Sequence, residues 1–197
     1  MPPMPPVTQA LLLINVGVFC AQFLLPFLPA LFALWPWGHG FLPWQVVSYG
    51  FLHDPSNFFH LFFNMLGLWM FGSELERVWG TKRYLQFYFA SIVTAGFTQL
   101  ALAAILGSGN PTVGASGGLF GLLLAYGMMF PNRTIMPLFP PIPMKAKVFV
   151  AVFGALELLL GVMDPRSGVA HFAHLGGMVG GFLMLQYWRG RAPFGRR

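Results

Sequence analysis

Six runs of this chain are long and apolar enough to approach the width of a lipid bilayer, and that excludes most of what a chain of this size can fold into. They are Thr8–Phe27, Asn57–Gly72, Tyr84–Leu106, Thr112–Phe130, Val148–Met163 and Gly168–Trp188. A hydrocarbon core of about 30 Å takes about 20 helical residues; the second and fifth runs are short by that measure. Lipid offers no partner to a free backbone N–H or C=O, so a span is either a helix or a strand of a closed barrel. A barrel needs alternating strands of about ten residues, whereas these runs are continuously apolar. Charge content agrees: 8% of residues are Asp, Glu, Lys or Arg, against about 25% in soluble domains. The predicted fold is an all-α polytopic membrane protein with six transmembrane helices. We expect one domain over residues 1–197, with a core of about 8–188 and a basic cytoplasmic tail at 189–197.

The segments between the runs differ in kind. Residues 28–56 interleave Trp35, Trp37, Phe41 and Trp44 with Pro and Gly. That is too broken for a span and too aromatic for a solvated loop, so an interfacial segment between the first and second helices is predicted. Residues 137–143, PLFPPIP, read as a stiff non-helical link. The basic residues set the orientation. With the amino terminus inside, the inner side holds Arg77, Lys82, Arg83, Arg133, Lys145, Lys147, Arg189, Arg191, Arg196 and Arg197, and the outer side only Arg166. Both termini are therefore predicted cytoplasmic. The net charge of +6 is scattered in short clusters between the apolar runs, which argues against a nucleic-acid stripe. Cys20 is the one cysteine, so no intrachain disulfide is possible. The first run lacks a basic front and a small-residue cleavage site, and is expected to be a retained helix.

Polar groups in a span are costly, about 2.5–3.5 kcal/mol for a charge at the centre, so they usually face a cavity or a partner. Here His60 and Asn64 lie in the second run, Ser116 in the fourth, and His171 and His174 in the sixth. All three even-numbered helices run the same way, so His60, Ser116 and His174, each near a helix start, fall at one depth near the outer face. His60 and Asn64, four apart, share a helix face. Gly117 and Gly121 form one small-xxx-small pair, Gly177 and Gly181 another, and such glycines let two helices approach closely. His174 lies within about 60° of the Gly177/Gly181 stripe at 100° per residue. His171 lies further round, so His174 is the imidazole expected to reach Ser116.

That set permits acyl transfer. A neutral imidazole near pH 7 takes the serine proton and returns it to the leaving amine. The Ser116 backbone N–H, free at a helix start, would bind the oxyanion, with the Asn64 amide and the His60 imidazole as two further donors. No third member of a triad is evident. Glu157 alone among the acidic residues lies within a span, and a two-residue Ser116–His174 dyad is expected, with Phe120 stacked on His174. The histidine pair His171/His174 has no evident third metal ligand beyond His60, so no metal and no cofactor are predicted.

These residues resemble the rhomboid intramembrane serine proteases, over Trp44 to Gly181. Gly114-Ala115-Ser116-Gly117 looks like the family's G-x-S-G nucleophile motif, and His174-Leu175-Gly176-Gly177 followed by Gly181 is similar to its H-x-x-G-x-x-x-G base motif. His60-Leu61-Phe62-Phe63-Asn64 resembles its oxyanion-binding H-x-x-x-N motif, and Glu76-Arg77-Val78-Trp79-Gly80 its turn after the second helix. Phe120 stands where the family often has Tyr, and Gln45 where many members have Arg. The gap from His53 to His60 is about two residues longer than in compact members. The resemblance implies a rhomboid-like bundle in a membrane, expected to be the bacterial cytoplasmic one. It implies an endopeptidase that cuts single-span membrane proteins near the outer face. The other reading is a catalytically silent rhomboid-like binder or chaperone of membrane helices. Neither oligomeric state nor physiological substrate is legible. His39 and His53 are expected to be loop residues with structural bonds.

Overall fold

The computed structural model of the chain describes residues 3–138, 141–164 and 170–190. Phe139 and Pro140 of the proline-rich link, Arg166, Gly168, and the tail residues Arg191, Arg196 and Arg197 lie outside the described residues.

The described chain is almost wholly helical: α1 Pro6–Leu24, α2 Leu28–Phe32, α3 Gln45–Ser48, α4 Phe58–Gly67, α5 Ser73–Leu106, α6 Ser116–Met129, α7 Ala146–Met163 and α8 His171–Trp188. Two-residue strands, β1 Thr134–Ile135 and β2 Met144–Lys145, pair antiparallel at the ends of the proline-rich link, a small departure from the all-helical expectation. Among the described residues, three helical stretches are long and apolar enough to cross a membrane: α1, Phe58–Leu106, and α7.

The boundaries differ from the apolar runs for local reasons. The helix of α1 stops at Leu24 because Pro26 cannot continue it. The second run ends at Gly72 because Glu74, Glu76 and Arg77 follow, but charged residues do not interrupt a hydrogen-bond ladder. The helix runs on through a wider π turn at Leu68–Gly72. It breaks at Gly80, whose φ of +73° is open to glycine at little cost. Glu76 also turns inward. Its carboxylate accepts hydrogen bonds from the backbone N–H groups of Val7 and Thr8 and from the Thr8 hydroxyl. A side chain from α5 thus caps the free N–H groups at the start of α1, where helix polarity favours a negative charge.

On α1, Thr8, Asn15 and Gln22 recur every seven residues and are buried with Leu11 and Phe19 between them. At the centre, α8 packs against both α5 and α6. A Cβ on Gly177 would lie 2.0 Å from the Gly117 carbonyl oxygen, and one on Gly181 3.2 Å from Gly121 Cα, so α6 and α8 meet backbone to backbone on their glycine faces. Gly176 and Gly180 make room for the side chains of Thr98 and Thr94 of α5. The outward surface is apolar: Leu13 and Phe23 of α1, Leu158 and Val162 of α7, and Val179 of α8 are all exposed.

Candidate active site

Three helix starts converge at one end of the bundle. The turn Asp54-Pro55-Ser56-Asn57 is built by Asp54, whose carboxylate accepts from the Ser56 N–H and hydroxyl. Asn57 then caps α4 by accepting from the His60 N–H, which fixes His60 in the first turn. The Asp54 N–H donates to His60 Nδ1 at 3.4 Å, so the other ring nitrogen, Nε2, carries the proton and is free to donate.

The fourth run starts later as a helix than as an apolar segment. Thr112 exchanges two backbone hydrogen bonds with Leu34, and Gly114 N–H donates to the Tyr49 carbonyl. Gly114 has a φ of +129°, a conformation that a side chain rarely adopts. Two residues later Ser116 opens α6, so its N–H is one of the donors the helix itself cannot satisfy. A Cβ on Gly114 would sit 2.8 Å from His60 Nε2 and 3.6 Å from Ser116 Oγ. His60 therefore faces Ser116 across the gap this glycine leaves.

His174, in the first turns of α8, places Nε2 2.8 Å from Ser116 Oγ. Phe120 stacks on the imidazole with centroids 4.4 Å apart and planes within 5°. On the far side of the ring, Nδ1 lies 2.8 Å from Glu157 Oε2. The same oxygen is 2.7 Å from His171 Nδ1. The sequence alone points to a Ser116–His174 pair, with Glu157 the one acidic residue within a span; the structure sets this carboxylate against both imidazoles. His60, Asn64, Ser116, Phe120 and His174 line one cavity of about 1150 Å³.

Residues 41–191 match the rhomboid domain. The chain belongs to the rhomboid family. It is 32% identical over 145 residues to Rhomboid protein 1, mitochondrial, of Saccharomyces cerevisiae, covering 71% of this chain and 40% of that protein. It is 32% identical over 130 residues to Rhomboid protease GluP of Bacillus subtilis, covering 62% and 22%. To RHOMBOID-like protein 4 of Arabidopsis thaliana it is 37% identical over 144 residues, covering 72% and 33%. The chain spans less than half the length of these curated relatives. As a rhomboid with apolar spanning helices it is an integral, polytopic membrane protein.

In this rhomboid the segment 28–56 frames the serine. Gln45, buried where many members have Arg, accepts from the Trp35 and Leu42 N–H groups and donates to the Leu31 carbonyl. The Trp35 and Trp44 indole N–H groups donate to Pro29 and Leu31 carbonyls of the same segment, while Trp37 and Trp44 stay half exposed. The Tyr49 hydroxyl donates to the Ile92 carbonyl and ties the segment to α5. Gln22 of α1 makes a two-way amide pair with the His53 backbone. Asn64 lines the cavity, but one of its amide hydrogens goes to the His60 carbonyl of its own helix.

His53 departs from expectation. Its ring is fully buried, lies 5.1 Å from that of His60, and has no well-formed hydrogen bond at either nitrogen among the described residues. Burial first, and the neighbouring His60 second, hold its pKa down at about 3; the Phe51 carbonyl opposes this without an aligned hydrogen bond. The unfolded imidazole titrates near 6.5. Below that pH the unfolded chain binds a proton that the native state refuses. The stability that neutral His53 preserves is thus complete above about 6.5 and is lost as pH falls towards 3, at up to about 1.4 kcal/mol per pH unit. Unfolding midpoints in detergent are expected to drop less steeply between pH 6.5 and 4.5 for His53→Phe than for the wild type. Parallel curves would mean that the folded protein protonates this ring freely.

Glu157, His171 and His174 also bring three ligand atoms within 4.8 Å of one another. The third ligand missing from the sequence pattern is thus a glutamate on another helix, not His60. The signal that marks Glu157 was present in the sequence: an ionisable residue inside a span is by default a functional candidate.

Proposed function

We propose that this rhomboid is an intramembrane serine endopeptidase with Ser116 as nucleophile and His174 as base. The observation that carries the reading is the 2.8 Å contact between Ser116 Oγ and His174 Nε2 on the wall of a cavity with polar groups at one end and apolar walls elsewhere. As Oγ attacks the scissile carbonyl, its proton passes to Nε2 and the carbonyl π pair moves to oxygen. In this reading the Ser116 N–H and His60 Nε2–H would donate to that oxyanion, with the Asn64 amide as a further donor. Collapse breaks the C–N bond, and the amine leaves with the proton held on Nε2. Water then repeats the sequence on the acyl-serine.

The substrate class follows from the surroundings. The cavity is flanked by Phe59 and Phe63 of α4 and by Phe149 and Phe153 of α7, with Leu123 of α6 beneath. Such walls suit an apolar segment, and the polar end suits a stretch of opened backbone. A helix must unwind locally before its carbonyls can be attacked, because they are held in its own hydrogen bonds. These walls suit a membrane-spanning segment, and the resemblance to the family makes the proposed substrate a single-span membrane protein cut near the outer face. The proposed setting is six spanning helices of a single domain, 28–56 at the outer interface, both termini inside, and a bacterial cytoplasmic membrane as the location.

Purified protein in liposomes, incubated with a panel of tagged single-span substrates, is expected to release two fragments and to label at Ser116 with a fluorophosphonate. Stable capture of the helices with neither cleavage nor labelling would favour the silent binder instead. Gly114→Ala gives a sharper check of the oxyanion site. The added methyl would meet His60 Nε2 at 2.8 Å and strain a backbone with φ +129°. A fall of about 10²–10³-fold in kcat is expected, the cost of a lost oxyanion donor; unchanged kcat would remove His60 from that role.

A further inference from the structure

The mechanism so far makes no use of the carboxylate that faces its base. Glu157 sits two-thirds of the way along α7 with its side chain about 14% exposed, at a depth where an unpaired carboxylate is expensive. We infer that Glu157 is a positioning residue that completes a Ser116–His174–Glu157 relay, with His171 as the group that fixes the carboxylate. The inference rests on the reading of Ser116 and His174 as nucleophile and base.

The argument is one of tautomers. An ionised carboxylate only accepts, so both nitrogens facing Glu157 Oε2 must carry hydrogen: Nδ1 of His174 at 2.8 Å and Nδ1 of His171 at 2.7 Å. Fixing the His174 proton on Nδ1 leaves the lone pair on Nε2, the nitrogen 2.8 Å from Ser116 Oγ. That is the form able to take the serine proton. In the other tautomer Nε2–H would donate to Oγ and the hydroxyl would have no base. When the proton arrives on Nε2, the imidazolium faces a carboxylate already in place, so the new charge is met without reorganisation.

His171 completes the arrangement. Two donors on one oxygen hold the carboxylate from two sides, and the two rings stand at 89° to each other with centroids 6.4 Å apart. Both histidine side chains are at least as buried as the glutamate. Phe120 closes the remaining face of His174 with a flat stack that holds the ring but supplies no hydrogen bond. The orienting hydrogen bond therefore comes from Glu157. A divalent cation at the same three atoms would need the Nδ1 lone pairs, and would force the tautomer that disarms Ser116. The relay and a metal site are thus opposed uses of one cluster.

The deciding variant is Glu157→Gln. With its amide oxygen in place of Oε2 it keeps the shape and can accept both hydrogen bonds, but the charge is gone. In a reconstituted cleavage assay, kcat is expected to fall about 10²- to 10⁴-fold, with KM within twofold of wild type and an unchanged unfolding midpoint. Glu157→Asp, which keeps the charge, is expected to recover at least tenfold of that loss. Glu157→Gln combined with His174→Ala is expected to be no slower than His174→Ala alone, since the carboxylate acts only through the ring. Full activity is expected in EDTA. Wild-type kcat in Glu157→Gln, or a raised KM and lowered midpoint at unchanged kcat, would reduce Glu157 to a link between α7 and α8. Loss of activity in EDTA, restored by zinc, would replace the relay with a metal site. If Ser116→Ala and His174→Ala both cleave normally, the underlying reading fails, and that result is independent of any Glu157 variant.

Discussion

Replacing Ser116 by alanine is expected to lower the cleavage rate of a single-span substrate by about 10⁴-fold or more, leaving only what the oxyanion donors and substrate binding contribute. His174→Ala should cost nearly as much, and the double variant little more than either. Nucleophile and base act as one unit, so the first deletion removes most of what the second could remove. The structure adds a reason to expect folded variants. The backbones of α6 and α8 meet on Gly117, Gly121, Gly177 and Gly181, so both variants should keep the bundle, although His174→Ala also removes the ring stacked on Phe120 and bonded to Glu157. Circular dichroism should therefore match wild type for both, and so should the unfolding midpoint of Ser116→Ala in detergent, while His174→Ala should unfold at a lower midpoint. Cleavage that persists in Ser116→Ala would remove it as the nucleophile. A His171→Ala protein that is dead beside an active His174→Ala would transfer the base to His171.

The second large effect should come from a methyl group far smaller than those side chains. In Gly177→Ala the new Cβ would lie 2.0 Å from the Gly117 carbonyl oxygen and 2.8 Å from its carbon. Both are backbone atoms of a neighbouring helix, so they cannot swing aside as a side-chain end can. The helices must separate, at a cost of about 3 kcal/mol or more, the upper range for overpacking. His174 lies one turn before Gly177 on α8, and Ser116 directly precedes Gly117 on α6. Separation at the glycines therefore lengthens the 2.8 Å contact itself. A displacement of about 1 Å is enough to cost 10²-fold in rate. Gly177→Ala should lose stability and activity together. Gly17→Ala is the control: a Cβ there meets nothing within 4 Å, and alanine is the better residue inside a helix. Equal midpoints and rates for Gly177→Ala and wild type would mean that α6 and α8 do not touch as described.

The two effects separate chemistry from architecture, and the sequence was legible to different depths for each. The glycine stripes were readable, because a small residue every four positions marks a helix face whatever that face meets. The three polar helix starts were readable for the same reason: depth in a helix follows from counting residues. Helix ends were less so. The apolar run that stops at Gly72 ends on composition, while the helix that contains it ends only at Gly80, where the backbone itself turns. The seven-residue recurrence of Thr8, Asn15 and Gln22 on α1 lay open in the sequence, but its meaning depends on what α1 faces.

The sequence by itself determined a set of apolar helices, the stripes on which two of them meet, and the end of the bundle where serine, histidines and asparagine gather. These follow from local periodicity and from the cost of placing polar groups in lipid, neither of which requires knowing a neighbour. Only the tertiary structure decided that Glu157 reaches both His171 and His174, that Glu76 caps α1 across 68 residues of chain, and that His53 is sealed against His60. Each of those contacts depends on how one helix or loop is rotated and seated against another. Rotation is set by the sum of many weak packing contacts, and no single stretch of sequence records it.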